Sequence, residues 1–296
     1  MSRWLLKENW LRLILNRKNI SPKVSIGLPV FNGGLTVHKT IESLLEQSFT
    51  DFELIISDNA STDRTQEICK DYANSDPRIK YVRQPKNLGL YGNFKAVFDE
   101  ACGEYFMWVA DDDIRSDNFL EEVVNLLDKN PNCIAATTPD CMEGGLNVRD
   151  FSITGSQYNR FKLFIENCWA SHGIFYSLAR ANLVKDFNFD EFETLGGDWL
   201  YNTYLLSKGD ICRTKKGMTT FAKDGISNSN QRFSNFRKNI FNWIFPFYDF
   251  SIYMWKLSYS FSIKQKFLLF YSLLRLNIFT AVLQVKFELS LKIEKL

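Results

Sequence analysis

The chain has too few histidines and too scattered a set of cysteines to build a thiolate or imidazole metal centre. Its 296 residues hold two histidines, His38 and His172, and six cysteines, at 69, 102, 133, 141, 168 and 212, with no CxxC pair and no zinc-ligand spacing. The expectation is reduced thiols in a cytosolic compartment. No run of 18 apolar residues occurs, so no membrane span is evident, and the apolar stretch LRLILN near the basic N-terminus is too short for a signal-peptide core. Internal repeats and low-complexity tracts are missing too, which sets solenoid and linker readings aside.

What is present is enough chain to bury a substantial core, with 45% hydrophobic, 24% charged and an unusually high 15% aromatic residues. The aromatics concentrate after Arg232, where 17 stand in 65 residues with ten Lys or Arg against three acidic residues. That tail carries about +7 and leaves residues 1–231 at about −5, so the formal +2 hides an acidic body with a basic, aromatic end. Such an end could grip nucleic acid, but no nucleic-acid motif accompanies it and none is expected as a partner. Its recurring Lys and Arg between Phe, Trp, Tyr, Leu and Ile suit either helices packed on the body or an anchor at a membrane surface. Met1 to Ile20, with Trp4 and Trp10, would add to the same surface.

Between Val24 and Thr138 short apolar runs alternate with amphipathic segments, the pattern of strand-helix-strand units in a largely parallel sheet. Strands are expected at 24–30, 52–58, 79–84, 104–110 and 133–138. Helices are expected at 35–47, 63–74, 91–101 and 117–129, with a later one at 199–207. In an open parallel sheet ligands bind beyond the carboxyl ends of the strands. The polar residues collect there, at Pro29 to Asn32, Asp58 to Asp63 and Asp111 to Asp113.

Asp111-Asp112-Asp113 follows a strand apolar enough to be buried on both faces. Crowded carboxylates raise one another's pKa unless a positive charge sits between them, and Mg²⁺ or Mn²⁺ would supply it. The plain alternative is an acidic cap for the helix that follows. Asp58 is either a turn former or an acceptor for ribose or base, and Phe31 either core or a stacking face for a base. Asp198 is either the N-cap of its helix or a general base.

The quoted pieces PVFN (29–32), SDNASTD (57–63), NLG (87–89), ACGEY (101–105) leading into DDD (111–113), and GGDW (196–199) occur in this order over some 170 residues. Together they resemble the inverting family 2 glycosyltransferases, over roughly residues 22–225. The resemblance implies an α/β GT-A (nucleotide-diphospho-sugar transferase) fold, a mostly parallel central sheet flanked by helices, here with a helical C-terminal extension. It divides the chain into an N-terminal basic segment (1–21), a nucleotide-sugar-binding half (22–138), an acceptor-binding half (139–231) and the basic tail (232–296). It implies that Pro29, Phe31, Asn32, Asp58, Asn87 and Asp111 line the donor nucleotide, probed first as a UDP-sugar, and that Asp63 is mainly structural. Asp111, Asp112 and Asp113 would hold Mn²⁺ or Mg²⁺, and Asp198 would be the catalytic base.

Two departures stand out. The family's Asp-x-Asp-Asp motif has Ala110 in its first place, and Gly197 replaces the usual Glu before the base. The acceptor, a glycan or lipid-linked glycan, would lie near Trp169, His172 and Trp199, although structural roles suit Trp169 and His172 better. The implied place is cytoplasmic, peripheral to the inner face of the cell membrane. Two rival readings are a non-catalytic scaffold of the same fold in polysaccharide assembly and a nucleotidyltransferase; the second lacks a glycine-rich, basic phosphate loop near Leu28.

Overall fold

The computed structural model describes residues 21–189, 194–223 and 241–293. Residues 1–20, 190–193, 224–240 and 294–296 lie outside the described residues, and with them nearly all of the N-terminal basic segment and the first residues of the basic tail.

Four parallel strands, β1 (Val24–Val30), β2 (Phe52–Asp58), β3 (Ile79–Arg83) and β4 (Tyr105–Trp108), stand in the order β3-β2-β1-β4. All seven residues of β1 are buried, as its unbroken apolar run requires of a strand covered on both faces. Helices α1 (Val37–Leu45), α2 (Thr65–Ser75) and α3 (Gly89–Asp99) make the crossovers. Acidic residues fall in first turns as the sequence suggests, Glu67 in α2 and Glu121 with Glu122 in α4 (Phe119–Lys129), where they face the positive end of the helix.

The second half is less regular, and its strands are short. β5 (Ile114–Arg115), β7 (Asp140–Met142) and β10 (Thr219–Phe221) form a separate three-stranded sheet ordered β5-β10-β7. β6 (Cys133–Thr137) belongs to the main sheet but does not pair with β4. A three-residue strand, β8 (Leu178–Arg180), lies antiparallel to both and separates them, and β9 (Asp210–Arg213) completes the edge. Between these strands run α5 (Gln157–Asn167), α6 (His172–Phe175), α7 (Ala181–Lys185) and α8 (Gly197–Lys208).

Each face of the sheet carries its own core. On one, Val37, Ile41 and Leu44 of α1 and Phe119, Leu120, Val123 and Leu127 of α4 pack on β1, β2 and β4. On the other, Phe94 and Val97 of α3, Phe161 and Phe164 of α5, and α8 enclose Phe106 and Trp108. Of the C-terminal helices α9 (Phe241–Ile244), α10 (Tyr248–Leu257) and α11 (Ile263–Ile293), the last two join this second core through Phe250, Met254, Leu269, Leu273 and Leu276. The packed-helix reading of the tail therefore holds for α10 and for one face of α11.

One expectation is corrected. Cys133 and Cys212 form a disulfide between the neighbouring strands β6 and β9, so the thiols are not all reduced; the pair is 79 residues apart, and no local spacing announces it. A span-length segment is also present. Ile263–Lys286 has a mean hydropathy of 1.6 and is long and apolar enough to cross a membrane by length and composition, with a third of it buried on the protein. Arg275 interrupts it, which is why a search for an unbroken apolar run passes over it.

Candidate active site

The site begins where β1 ends. Phe31 is 48% exposed just beyond the strand, and Asn32 turns the chain with a positive φ of 55°. Asn32 is committed to the neighbouring loop: its main-chain N–H donates to Ser61 Oγ (2.9 Å), and its Oδ1 accepts from the Thr62 N–H (2.9 Å). Asp63 fastens the same two loops, accepting from the Gly34 N–H (2.9 Å) and from Thr65 at the start of α2, which is the structural role expected of it. Pro29 is buried within β1 beside Ser57, its missing N–H leaving that rung of the sheet open.

Asp58 ends β2 with no exposed surface. Its Oδ1 accepts from the Ser61 N–H (2.8 Å), and its Oδ2 from the Tyr81 hydroxyl (2.7 Å) and Arg83 Nη1 (2.5 Å). Burial alone would raise this carboxyl, but the Ser61 hydrogen bonds, the Tyr81 hydroxyl and the Arg83 charge hold it below the usual carboxylate range. Both oxygens are thus occupied by the protein, and the loop after β2 is shaped by Asp58 with Arg83, which also donates to Ser61 O (2.8 Å). Arg83 escaped the sequence reading, although it sits opposite Asp58 in the β2–β3 register. Asn87 accepts from Asn59 Nδ2 (3.0 Å) and from the Gly89 N–H (2.7 Å) and is exposed beside this loop.

The acidic trio divides. Asp111 and Asp112 are half-buried at the end of β4. Burial, reinforced by the neighbouring Asp112 charge, pushes Asp111 up to about 6, and burial raises Asp112 as well. Asp113 is 3% exposed and serves the junction of β5 and β10: its Oδ1 accepts from the Ala222 N–H (3.4 Å) and its Oδ2 lies 3.8 Å from Arg115 Nη1. Burial pushes Asp113 up to about 7 against the pull of Arg115. The structure therefore separates Asp113 from the other two. No group of three His, Cys, Asp or Glu side chains placed to hold a metal occurs among the described residues.

Asp198 is half-buried in the first turn of α8. The helix is capped by Gly196 in the left-handed conformation (φ 79°), not by Asp198, so the capping explanation for this aspartate falls away. Burial pushes it up to about 6. Tyr176, just beyond α6, ties the acidic centres together. Its phenol is pushed well above its usual range by burial and then by the charges of Asp113, Asp112 and Asp198, so one side chain lies within electrostatic reach of the β4 carboxylates and of the α8 carboxylate. Sequence reading missed Tyr176; a tyrosine in an aromatic stretch gives no sign of it.

Of the acceptor candidates, Trp169 is 42% exposed and packs edge-on against Trp199 (5.1 Å). Trp199 is only 7% exposed and stacks face to face on Phe247 (4.6 Å, 14°), which places it in the contact with the C-terminal helices. His172 is half-buried near Phe221, with Nδ1 unpartnered, and burial and then the Arg149 charge lower its pKa from the usual histidine range. The Asp140 carboxylate beside it is paired with Arg149 and Arg213. A cavity of about 490 Å³ lies elsewhere, between α3 and α7 and lined by Lys95, Phe98 and Lys185, towards the start of β4 and not its end.

The chain is 38% identical over 93 residues to the GalNAc(5)-diNAcBac-PP-undecaprenol beta-1,3-glucosyltransferase of Campylobacter jejuni, 31% of this chain and 30% of that one. It is 36% identical over 140 residues to the EpsE protein of Bacillus subtilis, 47% of this chain and 49% of that one, so it spans half or less of the length of these curated relatives. In fold it resembles the S. aureus TarS 1-349 crystal structure, with a TM-score of 0.59, 17% identity and 91% of each chain covered. TarS 1-349 has also been solved with UDP-GlcNAc (TM-score 0.56, 17% identity, 82% of this chain and 74% of that one). The mannosyltransferase PcManGT of Pyrobaculum calidifontis, solved with GDP-Man and Mn2+, gives a TM-score of 0.52 at 15% identity, covering 72% of this chain and 61% of that one. The architecture is that of GT-A glycosyltransferases. The profile described as Glycosyl transferase family 2 matches residues 25–182, more than half of the sequence, and the chain belongs to glycosyltransferase family 2.

Proposed function

We propose that the chain is an inverting glycosyltransferase that moves a sugar from a nucleotide-diphosphate donor, a UDP-sugar first among them, to a hydroxyl of a glycan or lipid-linked glycan at the cytoplasmic face of a membrane. The observation that carries this reading is Asp198, half-buried, raised to about 6 and free of the capping role, within reach of the same Tyr176 that senses Asp112 and Asp113. A carboxylate with these properties is matched to taking a proton near neutral pH. In the proposed step Asp198 removes the acceptor hydroxyl proton while that oxygen bonds to the anomeric carbon. The bond from this carbon to the diphosphate breaks, the nucleoside diphosphate leaves, and the configuration inverts.

Asp111 and Asp112 fit a divalent cation, because two hard carboxylates raised by burial and by one another's proximity gain from a positive charge between them. Mn²⁺ or Mg²⁺ held there would neutralise charge on the departing diphosphate. Asp113 does not fit that set, since it is spent on Arg115 and the Ala222 amide. Phe31 is available to stack on the base, whereas Asn32, Asp58 and Asn87 shape the pocket wall. The UDP-GlcNAc bound by TarS and the undecaprenol acceptor named for the C. jejuni relative support the donor and acceptor classes.

The test is a screen of UDP-, GDP- and dTDP-sugars for Mn²⁺-dependent protection against thermal unfolding, followed by hydrolysis and transfer assays with the best binder. Protection by a UDP-sugar that needs Mn²⁺, with product of inverted configuration, is expected. Absence of protection by every nucleotide-sugar would overturn the reading.

A further inference from the structure

The C-terminal helices show two opposed apolar faces, and the body covers only one of them. In α11 the buried positions are Leu269, Leu273, Leu276, Asn277, Thr280 and Gln284. At about 100° per residue these fall on one side of the helix, and the polar members are tied down: Asn277 Oδ1 accepts from the Phe247 N–H (2.9 Å), and Gln284 Nε2 reaches the Asn242 and Trp243 carbonyls (3.4 Å each). The other side carries Ile263, Phe267, Phe270, Tyr271, Ile278 and Val282, each between 52% and 90% exposed. α10 continues this surface with Trp255 at 44% and, just beyond the helix, Tyr259 at 80%. Isolated exposed hydrophobics are ordinary; a stripe running more than five helical turns is not.

Charge decides what covers it. Residues 241–286 hold five basic side chains, Lys256, Lys264, Lys266, Arg275 and Lys286, and one acidic residue, Asp249, which accepts a hydrogen bond from Thr194 of the body. Lys264, Arg275 and Lys286 recur every eleven residues, about three turns, and so form one exposed row along the edge of the apolar stripe. An apolar band with a basic border and aromatic residues along it is the pattern that lies in the headgroup layer of an anionic bilayer.

We infer that the outer face of α10 and α11 is a docking surface for an anionic lipid bilayer, with α11 lying in the plane of the membrane instead of crossing it. The in-plane orientation follows from the opposite face: Leu269, Leu273 and Leu276 pack into the core that holds Phe161 and Phe164 of α5, and Asn277 and Gln284 are bonded to residues 242–251, so α11 cannot be surrounded by hydrocarbon without giving up those contacts. This deepens the reading of a lipid-linked acceptor by naming the surface that brings the enzyme to it, and it stands on the stripe and its basic border even where that acceptor is replaced.

The experiment uses the full chain with vesicles of phosphatidylcholine alone and with 30% phosphatidylglycerol, at about 50 and 500 mM salt. The wild type should float with the anionic vesicles, at least tenfold more than with the neutral ones at low salt, and lose much of that preference at high salt. Phe267→Glu combined with Ile278→Glu should cut the bound fraction at least tenfold, and Lys264→Gln with Arg275→Gln and Lys286→Gln should remove most of the anionic preference. Both variants should keep wild-type melting and wild-type nucleotide-sugar protection, which separates failure of docking from failure of the transferase reading. Three results overturn the inference: wild-type protein that stays in solution with anionic vesicles, a stripe variant that floats as well as wild type, or light scattering that shows a dimer lost in the Phe267→Glu, Ile278→Glu variant. Protease protection of the C-terminus inside sealed vesicles would overturn the in-plane orientation.

Discussion

The carboxylate of Asp111 rests against Gly33. A Cβ added to that glycine would come within 2.1 Å of Asp111 Oδ2 and 2.7 Å of Val30 Cγ2. Gly33 has no unusual φ, so its requirement is for space: the turn after β1 passes close enough to the end of β4 that only a hydrogen fits between them. This contact joins the turn after β1 to the acidic centre. Gly33→Ala is expected to swing the Asp111 carboxylate out of position while the sheet stays intact, because the far end of a side chain moves more readily than a strand. Transfer should fall by about 10²-fold, the usual effect of one misplaced charge contact, with the Mn²⁺ requirement shifted to higher concentration. Steady-state rates across a Mn²⁺ titration, with melting as the fold control, check it; an unchanged Mn²⁺ dependence would remove Asp111 from the metal set.

Asp198→Asn should lower turnover by 10²-fold or more and leave nucleotide-sugar protection intact, since in the proposed step the carboxylate acts on the acceptor and not on the donor. The wild-type rate should climb with pH through about 6 and level off above it, following ionisation of Asp198. At pH 5 the rate is expected to drop about tenfold. The stability effect has the opposite sign. A carboxyl raised in the folded state binds protons there that the unfolded chain has already released, so its contribution to stability is lost as pH rises from the ordinary carboxylate range through about 6. Asp111 acts in the same direction. Melting temperatures of wild type and Asp198→Asn between pH 4.5 and 8 should therefore converge at the acid end and separate, with the variant higher, above pH 6.

The first half of the fold was legible because its mainly apolar runs alternate with amphipathic segments. β1 and β2 lie where the unbroken runs 24–30 and 52–58 put them, and β3, β4 and β6 end within two residues of expectation at each end. β8 was not legible. Three residues give no periodicity, and their place between β4 and β6 is fixed by long-range pairing. The site follows the same division. Asp111, Asp112 and Asp198 were visible as acidic residues at strand and helix ends, whereas Arg83, Arg115 and Tyr176 acquire meaning only from what they face. Asp113 looked equivalent to its neighbours until Arg115, two residues on, turned it into the small sheet. Aromatic spacing alone could not show that Trp199 stacks on Phe247.

The Cys133–Cys212 link gives a direct count. Denatured protein purified without reductant should titrate four thiols, Cys69, Cys102, Cys141 and Cys168, and six after reduction. Closing so long a loop restricts the unfolded chain by up to about 4 kcal/mol, so reductant should lower the midpoint of chemical unfolding. The bond joins β6 to β9 at the sheet edge away from β4, and reduction should leave transfer rates within twofold. A count of six thiols without reductant would show the pair open.

Asp112 and Asp113 are adjacent in sequence and should fail in different ways. Asp113 and Arg115 form a buried pair, 3% and 2% exposed, with all three guanidinium nitrogens of Arg115 lacking a hydrogen-bond partner and Arg115 held by Asp113 and by the faces of Phe119 and Phe221. Removing one member leaves the other charge buried alone, which costs about 3–5 kcal/mol. Asp113→Asn should therefore lower stability by that order, because the buried Arg115 guanidinium keeps its charge, whereas Arg115→Leu costs less because Asp113, raised to about 7, can take up a proton near neutral pH. Asp112→Asn should do the reverse of Asp113→Asn: its half-buried carboxylate supports no fold contact of that kind, so melting should hold or rise while Mn²⁺-dependent turnover falls by 10²-fold or more. Urea unfolding set beside turnover for the three variants separates the roles. Loss of stability in Asp112→Asn equal to that in Asp113→Asn would mean that Asp112 belongs to the structural pair and not to the metal.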